Sequence, residues 1–249
     1  MTGLGFVTAA RTHVGRVRRL NEDSHLCRPE LGLWAVADGM GGHAHGDRAS
    51  RLITDKLAAM PAPVDAPGLL RAVERELQDC NVELRRTAGR HDVSGSTVVV
   101  LLAHGPHFAA LWAGDSRLYR LRGGRLQQLT RDHSLVQELV EQGRIGPEEA
   151  RFHPLRNRIT RAVGVDAALE LEALQGSLAA GDLFLLCTDG LTGELEDDEI
   201  AARLGSNPPE AAAEALLAEA LTRGARDNVT LVLVAVTAGA DPDTTLPRV

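Results

Sequence analysis

Three short apolar runs in this 249-residue chain each lead into an aspartate that lies beside a glycine, and a fourth aspartate precedes another apolar run. The four segments are Leu33–Val36 with Ala37-Asp38-Gly39, Phe108–Trp112 with Ala113-Gly114-Asp115, Leu183–Cys187 with Thr188-Asp189-Gly190, and Arg226-Asp227-Asn228 before Val229–Val236. Apolar runs of this length, bounded by glycine or aspartate, predict buried strands. Strand ends are rigid, and glycine allows close approach of a ligand. The pattern therefore predicts a β-rich core with carboxylates at its strand ends.

Several carboxylates that converge in one place repel one another unless cations bind between them. Hard oxygen ligands of this kind suit Mg²⁺ or Mn²⁺. A single Asp-Gly pair more often makes a turn, because both residues dominate turns. Four acid-bearing strand ends in one chain favour a metal site, but the pattern alone leaves both interpretations open.

The remaining periodicity predicts an α+β fold with antiparallel sheets. Strands are expected at Val98–Ala103, Phe108–Ala113, Leu183–Cys187 and Leu231–Val236, and a hairpin joins Leu118–Arg122 to Leu126–Leu129 through Gly123-Gly124. Helices are expected at Asp47–Ala59, Gly68–Thr87, Leu135–Gln142 and Pro209–Leu221. Helices are grouped, and strands often follow one another directly, which favours layered antiparallel sheets over a doubly wound parallel sheet.

The charge and cysteine content exclude several classes of protein. A net charge of -7 and a pI near 5.7 argue against a nucleic-acid partner. The apolar runs fall far short of the ~20 residues that span a bilayer, and Met1–Arg11 lacks a secretory signal pattern. Cys27, Cys80 and Cys187 have no C-x-x-C spacing, so buried free thiols are expected. We therefore expect a cytoplasmic monomer that is not bound to a membrane.

Eight motifs, in order, resemble those of the bacterial type 2C metal-dependent serine/threonine protein phosphatases, over about residues 5–237. They are Gly15-Arg16-Val17-Arg18-Arg19-Leu20-Asn21-Glu22-Asp23, Ala37-Asp38-Gly39-Met40-Gly41-Gly42-His43, Ser94-Gly95-Ser96-Thr97, Trp112-Ala113-Gly114-Asp115-Ser116-Arg117, Leu129-Thr130-Arg131-Asp132-His133-Ser134, Asn157-Arg158-Ile159-Thr160-Arg161-Ala162-Val163-Gly164, Cys187-Thr188-Asp189-Gly190-Leu191 and Arg226-Asp227-Asn228-Val229-Thr230. Each motif alone is weak, but eight in order make a chance match improbable.

This resemblance implies a four-layer α-β-β-α sandwich with two central antiparallel sheets and a small flap subdomain. The catalytic domain would cover residues 1–238, with the flap at about 131–168, and residues 239–249 would form a short C-terminal tail. The flap is expected to modulate substrate access, although a static helical cover fits the sequence equally well.

The resemblance also implies a ligand set for two to three Mn²⁺ or Mg²⁺ ions. Asp38 would bridge two metals, and the Gly39 carbonyl would bind one of them. The remaining acidic positions are Asp189 and Asp227 at the other metal, Glu22 and Asp23 in the same cluster, and Asp115 at a third metal. Asn228 would lie beside the cluster and order a bound water.

The implied reaction is hydrolysis of phosphoserine or phosphothreonine on proteins by a metal-activated water, without a phosphoenzyme. Arg18 resembles the arginine that binds the substrate phosphate, since a guanidinium fork matches phosphate oxygens. Asp38 and Arg18 are thus the expected catalytic residues. Phosphorylated proteins and a cognate Ser/Thr kinase are the implied partners, in bacterial signalling.

One departure and two alternatives remain. Met40 follows Asp38-Gly39 where eukaryotic relatives carry a histidine that acts as general acid, so the acid is unassigned, and His43 is a possible auxiliary residue. The run His43-Ala44-His45-Gly46-Asp47 resembles the start of a metallo-β-lactamase zinc site, but Arg48 stands where a further histidine is expected. The other alternative is a non-catalytic phosphoprotein-binding regulatory module of the same fold.

Overall fold

Two antiparallel sheets form the centre of the computed structural model, which describes residues 3–41, 45–62, 65–87 and 94–239. The first sheet has the strand order β1-β11-β10-β7-β8 and the second β2-β3-β5-β6-β9, with β4 paired to β3. The first contains β1 (Leu4–His13), β7 (Arg117–Arg122), β8 (Arg125–Gln128), β10 (Leu183–Cys187) and β11 (Val229–Ala238). The second contains β2 (Asp23–Arg28), β3 (Leu33–Gly41), β4 (Ser94–Ser96), β5 (Val98–His104), β6 (His107–Ala113) and β9 (Glu172–Ser177).

Helices cover the outer face of each sheet. The second sheet is covered by α1 (Gly46–Ala59) and α2 (Ala66–Thr87). The first is covered by α6 (Asp197–Ser206) and α7 (Pro209–Arg223), and α5 (Asp189–Thr192) follows β10 directly. Two short helices, α3 (Leu135–Glu141) and α4 (Pro147–Phe152), lie within the predicted flap. The expected α-β-β-α order of layers is confirmed.

Strand alternation explains why the layers form three separate cores. In β3, Trp34 and Val36 point between the two sheets, whereas Leu33 and Ala35 pack against α1 and α2. Successive side chains of a strand point to opposite faces, so a fully apolar strand can fill two cores at once. In β10, Phe184 likewise packs between the sheets. Burial of each large apolar side chain contributes roughly 1.5–3 kcal/mol, which makes these strands a rigid frame.

The strands and helices predicted from apolar periodicity are all present, with bounds that differ by a few residues. The hairpin also forms, and Gly123 and Gly124 both have positive φ, as its two-residue turn requires. Strands β1, β2, β4 and β9 have no counterpart among the predicted apolar runs. Strand β9 was not predicted because it is an edge strand without a continuous apolar run. Its side chains alternate between exposed and half-buried, and many of them are polar.

The predicted domain limits are only partly within the described residues. Gly239 still donates a backbone hydrogen bond to the Gly3 carbonyl (2.6 Å), next to the pairing of β1 with β11. Residues 240–249, most of the predicted tail, lie outside the described residues, so this division of the chain stays a prediction. In the described part of the chain, no helix has the length and apolar character needed to cross a bilayer.

We expect Gly32→Ala to destabilise the fold by about 3 kcal/mol, because Gly32 has φ 62° and an added Cβ would lie 2.0 Å from the Ala103 carbonyl oxygen. Gly105 provides the matched control, since it has φ 56° but no atom within 4 Å of the added Cβ. Gly105→Ala should cost only about 1 kcal/mol of backbone strain. Urea unfolding measures both, and equal losses would contradict the role of Gly32 in joining β3 to β5.

Candidate active site

Both sheets bring acidic residues to one common end. In the second sheet, Asp23 at the start of β2 pairs in register with Asp38 in β3. In the first, Asp189 follows β10 and Asp227 precedes β11. Asp115 lies on the connection from β6 to β7, where the chain passes from the second sheet to the first. The carboxylates predicted from the strand ends are therefore close together in space.

The pKa values show how strongly these carboxyl groups affect one another. Burial raises the pKa of Asp38 well above its usual range, and the charges of Asp23, Asp189, Asp115 and Asp227 raise it further. For Asp189, burial and the charge of Asp227 raise the pKa to about 6, although a hydrogen bond from the Asp38 carboxyl opposes the shift. The pKa values of Asp23 and Asp115 are raised as well, so Asp23, Asp38, Asp115 and Asp189 together resist full ionisation.

Asp23 is the most enclosed acid in the second sheet, with 7% of its surface exposed. Burial raises its pKa to about 7, against the opposing hydrogen bonds from Thr230 and Thr188. The Thr188 hydroxyl donates to Asp23 Oδ2 at 2.9 Å, and Thr188 directly precedes Asp189. This hydrogen bond connects the acidic end of one sheet to that of the other.

The free carboxylate oxygens test whether this cluster suits a metal. Oδ1 of Asp23, of Asp115 and of Asp189 is buried and has no hydrogen-bond partner among the described residues. Such atoms are costly unless a cation or water satisfies them. In the described ranges, no group of three acidic, histidine or cysteine side chains forms a ready-made metal cage. The donors nevertheless fit a hard divalent cation, since all are oxygens with buried, unused lone pairs.

The backbone at Asp38 is fixed by a motif with no predicted role. The Asp38 amide donates to Thr97 Oγ1 (3.0 Å), and its carbonyl accepts from Ser96 Oγ (3.0 Å) and from the Thr97 amide (2.9 Å). Thr97 Oγ1 also lies 2.7 Å from Ser116 Oγ, next to Asp115. The Ser94-Gly95-Ser96-Thr97 motif is visible in the sequence, but its spacing alone does not indicate that it contacts the backbone of Asp38.

Gly39 lies where only glycine fits. A Cβ at this position would be 2.0 Å from the Gly46 carbonyl oxygen and 2.7 Å from that of Glu22. The Gly39 amide donates to the Glu22 carbonyl at 3.0 Å. These contacts hold β3 against the segment that carries Glu22. Metal binding by the Gly39 carbonyl stays a prediction.

Arg18 and Asp227 form an ion pair at the edge of the cluster. Arg18 Nη2 lies 2.6 Å from Asp227 Oδ2, and half of the Arg18 side chain is exposed. The hydrogen bond to Asp227 raises the pKa of Arg18, and the charges of Glu22 and Asp38 contribute in the same direction. The predicted phosphate-binding arginine thus lies beside the predicted metal ligands.

Asn228 holds the loop that carries Arg18. Its Oδ1 accepts from the Glu22 amide (2.8 Å), and its Nδ2 donates to the carbonyls of Val14 (2.8 Å) and Leu20 (2.9 Å). The side chain therefore ties residues 14–22 to the start of β11. The expected role in ordering a water stays a prediction.

Glu22 joins the acidic cluster from its other side. Burial raises the pKa of Glu22, the charge of Asp47 raises it further, and Arg18 opposes this. Asp47 and His45 belong to the alternative zinc motif, but His43 lies outside the described residues, so neither that site nor the auxiliary role of His43 is tested. Burial raises the pKa of the Cys187 thiol to about 12, which agrees with the expectation that Cys187 is not a nucleophile.

A cleft of about 430 Å³ opens from the acidic cluster between the flap and the rest of the molecule. Asp115 and Asp189 of the acidic cluster are among its lining residues. The flap side includes residues of α3 and α4, and the opposite side includes Glu196 and Asp197 at the start of α6. An extended chain in this cleft would contact the acidic cluster at Asp115 and Asp189.

Such an arrangement, with clustered carboxylates between two sheets and an arginine at the rim, defines a metal-dependent class of phosphate-processing site. Residues 12–226 match the family model described as Protein phosphatase 2C, and the chain belongs to that family. Its fold resembles that of PppA, "a key regulatory component of T6SS in Pseudomonas aeruginosa", with a TM-score of 0.88 and 45% identity over 95% of this chain and 100% of that one.

Curated relatives of this chain are named as serine/threonine phosphatases. The chain is 34% identical to the serine/threonine phosphatase stp of Listeria welshimeri over 90% of its own length and 93% of that protein. It is 37% identical to PstP, a serine/threonine protein phosphatase of Mycobacterium tuberculosis, over 92% of its own length but only 44% of that protein. The catalytic domain of a PstP with two manganese ions has a TM-score of 0.82 and 36% identity, over 94% of this chain and 99% of that domain.

We expect the metal-free protein to lose stability as pH rises from about 4 to about 7. The folded pKa values of Asp23, about 7, and Asp189, about 6, exceed the ordinary 3.8. The folded state then binds more protons than the unfolded state in this interval, so unfolding becomes easier as these protons are lost. Urea unfolding in EDTA at pH 5 and pH 8 checks the direction. Asp23→Asn should flatten the dependence, and an unchanged slope would contradict this origin.

Proposed function

We propose that this chain is a metal-dependent protein phosphatase that hydrolyses phosphoserine and phosphothreonine on other proteins, without a phosphoenzyme. The observation that carries this proposal is a cluster of five aspartates contributed by both sheets, in which Asp23, Asp115 and Asp189 each have a buried carboxylate oxygen without a partner among the described residues. Membership of the protein phosphatase 2C family and the curated names of its relatives support the same activity.

Two to three divalent cations, Mn²⁺ or Mg²⁺, are the proposed cofactors. Asp38 would contact two of them, as would be expected from its position next to Asp23, Asp189, Asp115 and Asp227. Asp189 and Asp227 would hold one ion, and the Gly39 carbonyl would hold the other. Glu22 and Asp23 would complete the cluster, while Asp115 would serve a third ion. The presence of two manganese ions in the related PstP domain supports this cofactor class.

Bound divalent cations supply a low-pKa water for attack on phosphorus and compensate the negative charge of the phosphoryl oxygens. The chain itself must orient the phosphate. Arg18 is suited to this because its half-exposed guanidinium has further donors that do not contact Asp227. Met40 follows Gly39 in place of a histidine, so the group that protonates the leaving hydroxyl is not assigned to a side chain.

The proposed setting is a bacterial cytoplasm, in which the protein acts as a monomer and reverses the action of a cognate Ser/Thr kinase. The net charge of -7 argues against a nucleic-acid partner. Within the described residues, no helix has the length and apolar character to cross a membrane. A purely regulatory phosphoprotein-binding role is less consistent with the sequence, because the proposed metal ligands Asp38, Asp189 and Asp227 are all present.

Asp38→Ala and Asp189→Ala should each abolish hydrolysis of p-nitrophenyl phosphate and of a phosphothreonine peptide in Mn²⁺. Both changes remove a carboxylate from the proposed metal cluster, so calorimetry should also show weakened Mn²⁺ binding. Circular dichroism should remain that of a folded protein, since losing a repelling buried acid relieves electrostatic strain. Near-normal turnover of either variant would contradict the metal assignment. No turnover by the unaltered chain in Mn²⁺ or Mg²⁺ would contradict the activity itself.

Arg18→Ala should raise KM for p-nitrophenyl phosphate about tenfold and lower kcat less, because Arg18 is assigned to phosphate binding. Arg18→Lys should recover only part of the loss, since an ammonium lacks the planar fork. Calorimetric Mn²⁺ affinity is the second measurement. It should not fall in Arg18→Ala, because the change removes a cation that competes for Asp227. An unchanged KM would remove Arg18 from the phosphate site.

A further inference from the structure

The cleft beside the acidic cluster has walls of different charge. We name its two sides the flap wall, with Glu148, Arg151 and Arg156, and the core wall, with Arg117 and the acids Asp115, Asp189, Glu196 and Asp197. Asp132, at the start of the flap, is counted with the core wall because it is paired to Arg117. Even with cations at Asp115 and Asp189, and with Arg117 paired to Asp132, the core wall keeps the negative charges of Glu196 and Asp197. A cationic group in the cleft would therefore be favoured beside α6.

Arg117 is firmly fixed in the core wall. Its guanidinium donates three hydrogen bonds to Asp132 (2.7–3.0 Å) and one to the Tyr119 hydroxyl (2.9 Å). Tyr119 in turn donates to Asp197 Oδ1 at 3.0 Å. Hydrogen bonds thus join all four side chains across β7, the start of the flap and α6. Neither Arg117 nor Asp197 can respond easily to an incoming chain.

Arg151 is placed very differently. It reaches from α4 in the flap wall across the cleft to Glu196 in the core wall, where the two side chains form an ion pair. The Arg151 side chain is 31% exposed and that of Glu196 is 54% exposed. Ion pairs in contact with water are weak, because solvent screens the charges and both long side chains lose freedom. The Arg151 cation is therefore exchangeable for another cation of similar geometry.

We propose, on the basis of the phosphatase function proposed above, that the substrate chain beside the phosphorylated residue occupies this cleft and that Glu196 selects substrates with arginine or lysine there. The substrate cation would take the place of Arg151 at Glu196. Asp115 and Asp189 of the acidic cluster line the same cleft as Glu196, so a chain that extends from a phosphate at the cluster along this cleft would contact Glu196. An acidic substrate residue would instead meet the charges of Glu196 and Asp197. Glu196 is a specificity-determining residue in this account and has no part in the chemical step.

The test uses a phosphothreonine peptide with alanine at the flanking positions. Arginine or glutamate replaces one alanine at a time, up to three residues on either side, and kcat/KM is measured in Mn²⁺. For at least one position, the arginine peptide should exceed the glutamate peptide by about threefold or more. The ratio should fall toward one in high salt, because exposed charges are screened. Glu196→Gln should bring the ratio close to one, and Arg151→Met should increase it by removing the competing cation.

Asp198→Asn is the matched control. It removes the same charge from the same acidic segment, but Asp198 does not line the cleft, and the variant keeps the oxygen that accepts from the Glu199 amide (2.8 Å). In this variant, the ratio of kcat/KM for the arginine peptide to that for the glutamate peptide should equal the ratio of the unaltered chain. Equal effects of Asp198→Asn and Glu196→Gln would overturn the proposal in favour of general surface charge, and so would a ratio of one at every position.

A charge exchange keeps the proposal testable if Glu196→Gln does not fold. The double variant Arg151→Glu/Glu196→Arg retains an ion pair across the cleft and should prefer the glutamate peptide. An unreversed preference would overturn the role of Glu196. Turnover of p-nitrophenyl phosphate by the unaltered chain separates the two hypotheses, because this small substrate does not extend along the cleft. Turnover with no peptide preference rejects the selectivity alone, whereas no turnover rejects the phosphatase function.

Discussion

Repulsion among the carboxylates at the common end of the two sheets is the constraint that the rest of the structure must satisfy. Burial and mutual charge raise the pKa of Asp38, Asp189 and Asp23 together. A flexible chain would relieve this repulsion by moving the acids apart. Here each acid lies at the end of, or beside, a strand whose other residues fill apolar cores, so separation would require those cores to open. Burial of roughly 1.5–3 kcal/mol per large apolar side chain keeps the acids in place.

Hydrogen bonds in the cluster fix the backbone and leave selected carboxylate oxygens free. The backbone of Asp38 is held by Ser96 and Thr97, and Asn228 holds the loop that carries Glu22. By contrast, Oδ1 of Asp115 and Oδ1 of Asp189 have no hydrogen-bond partner within the described residues. In such a site the carboxylate oxygens are held in position before a cation binds, and the bound cation then supplies the partner that these oxygens lack.

The sequence predicted what depends on local pattern. Buried strands such as β5 and β10 were recognisable because they are short apolar runs, and the acids at strand ends were recognisable because glycine stands beside them. Edge strand β9 was not, since half of its side chains face solvent and its composition is polar. The family resemblance predicted the two-sheet architecture, which apolar periodicity alone does not distinguish from other antiparallel layers.

Contacts between distant residues lay beyond any local pattern. Arg18 and Asp227 are 209 positions apart, and Arg151 and Glu196 are 45 apart. Both pairs depend on how loops are placed after the sheets have formed. Sequence spacing also gave no sign that Ser96 and Thr97 support Asp38, although their motif was visible. The rigid frame is thus encoded in apolar periodicity, whereas the ion pairs at the rim are consequences of tertiary structure.

The two rim ion pairs have a common physical character. Arg18 contacts an acid of the cluster and Arg151 contacts an acid of the cleft, and all four side chains are partly exposed. Each arginine compensates a carboxylate at little energetic cost, because a solvent-exposed pair contributes about 0–1 kcal/mol. Each pair can therefore be replaced by an incoming charge without loss of the fold, Arg18 by a cation at Asp227 and Arg151 by a cation at Glu196. The pair of Arg117 and Asp132 lacks this property, because three hydrogen bonds join the two side chains and the Asp132 side chain is only 12% exposed. Of these three ion pairs, the one fixed in the wall of the cleft is permanent, and the two at the rim are exchangeable.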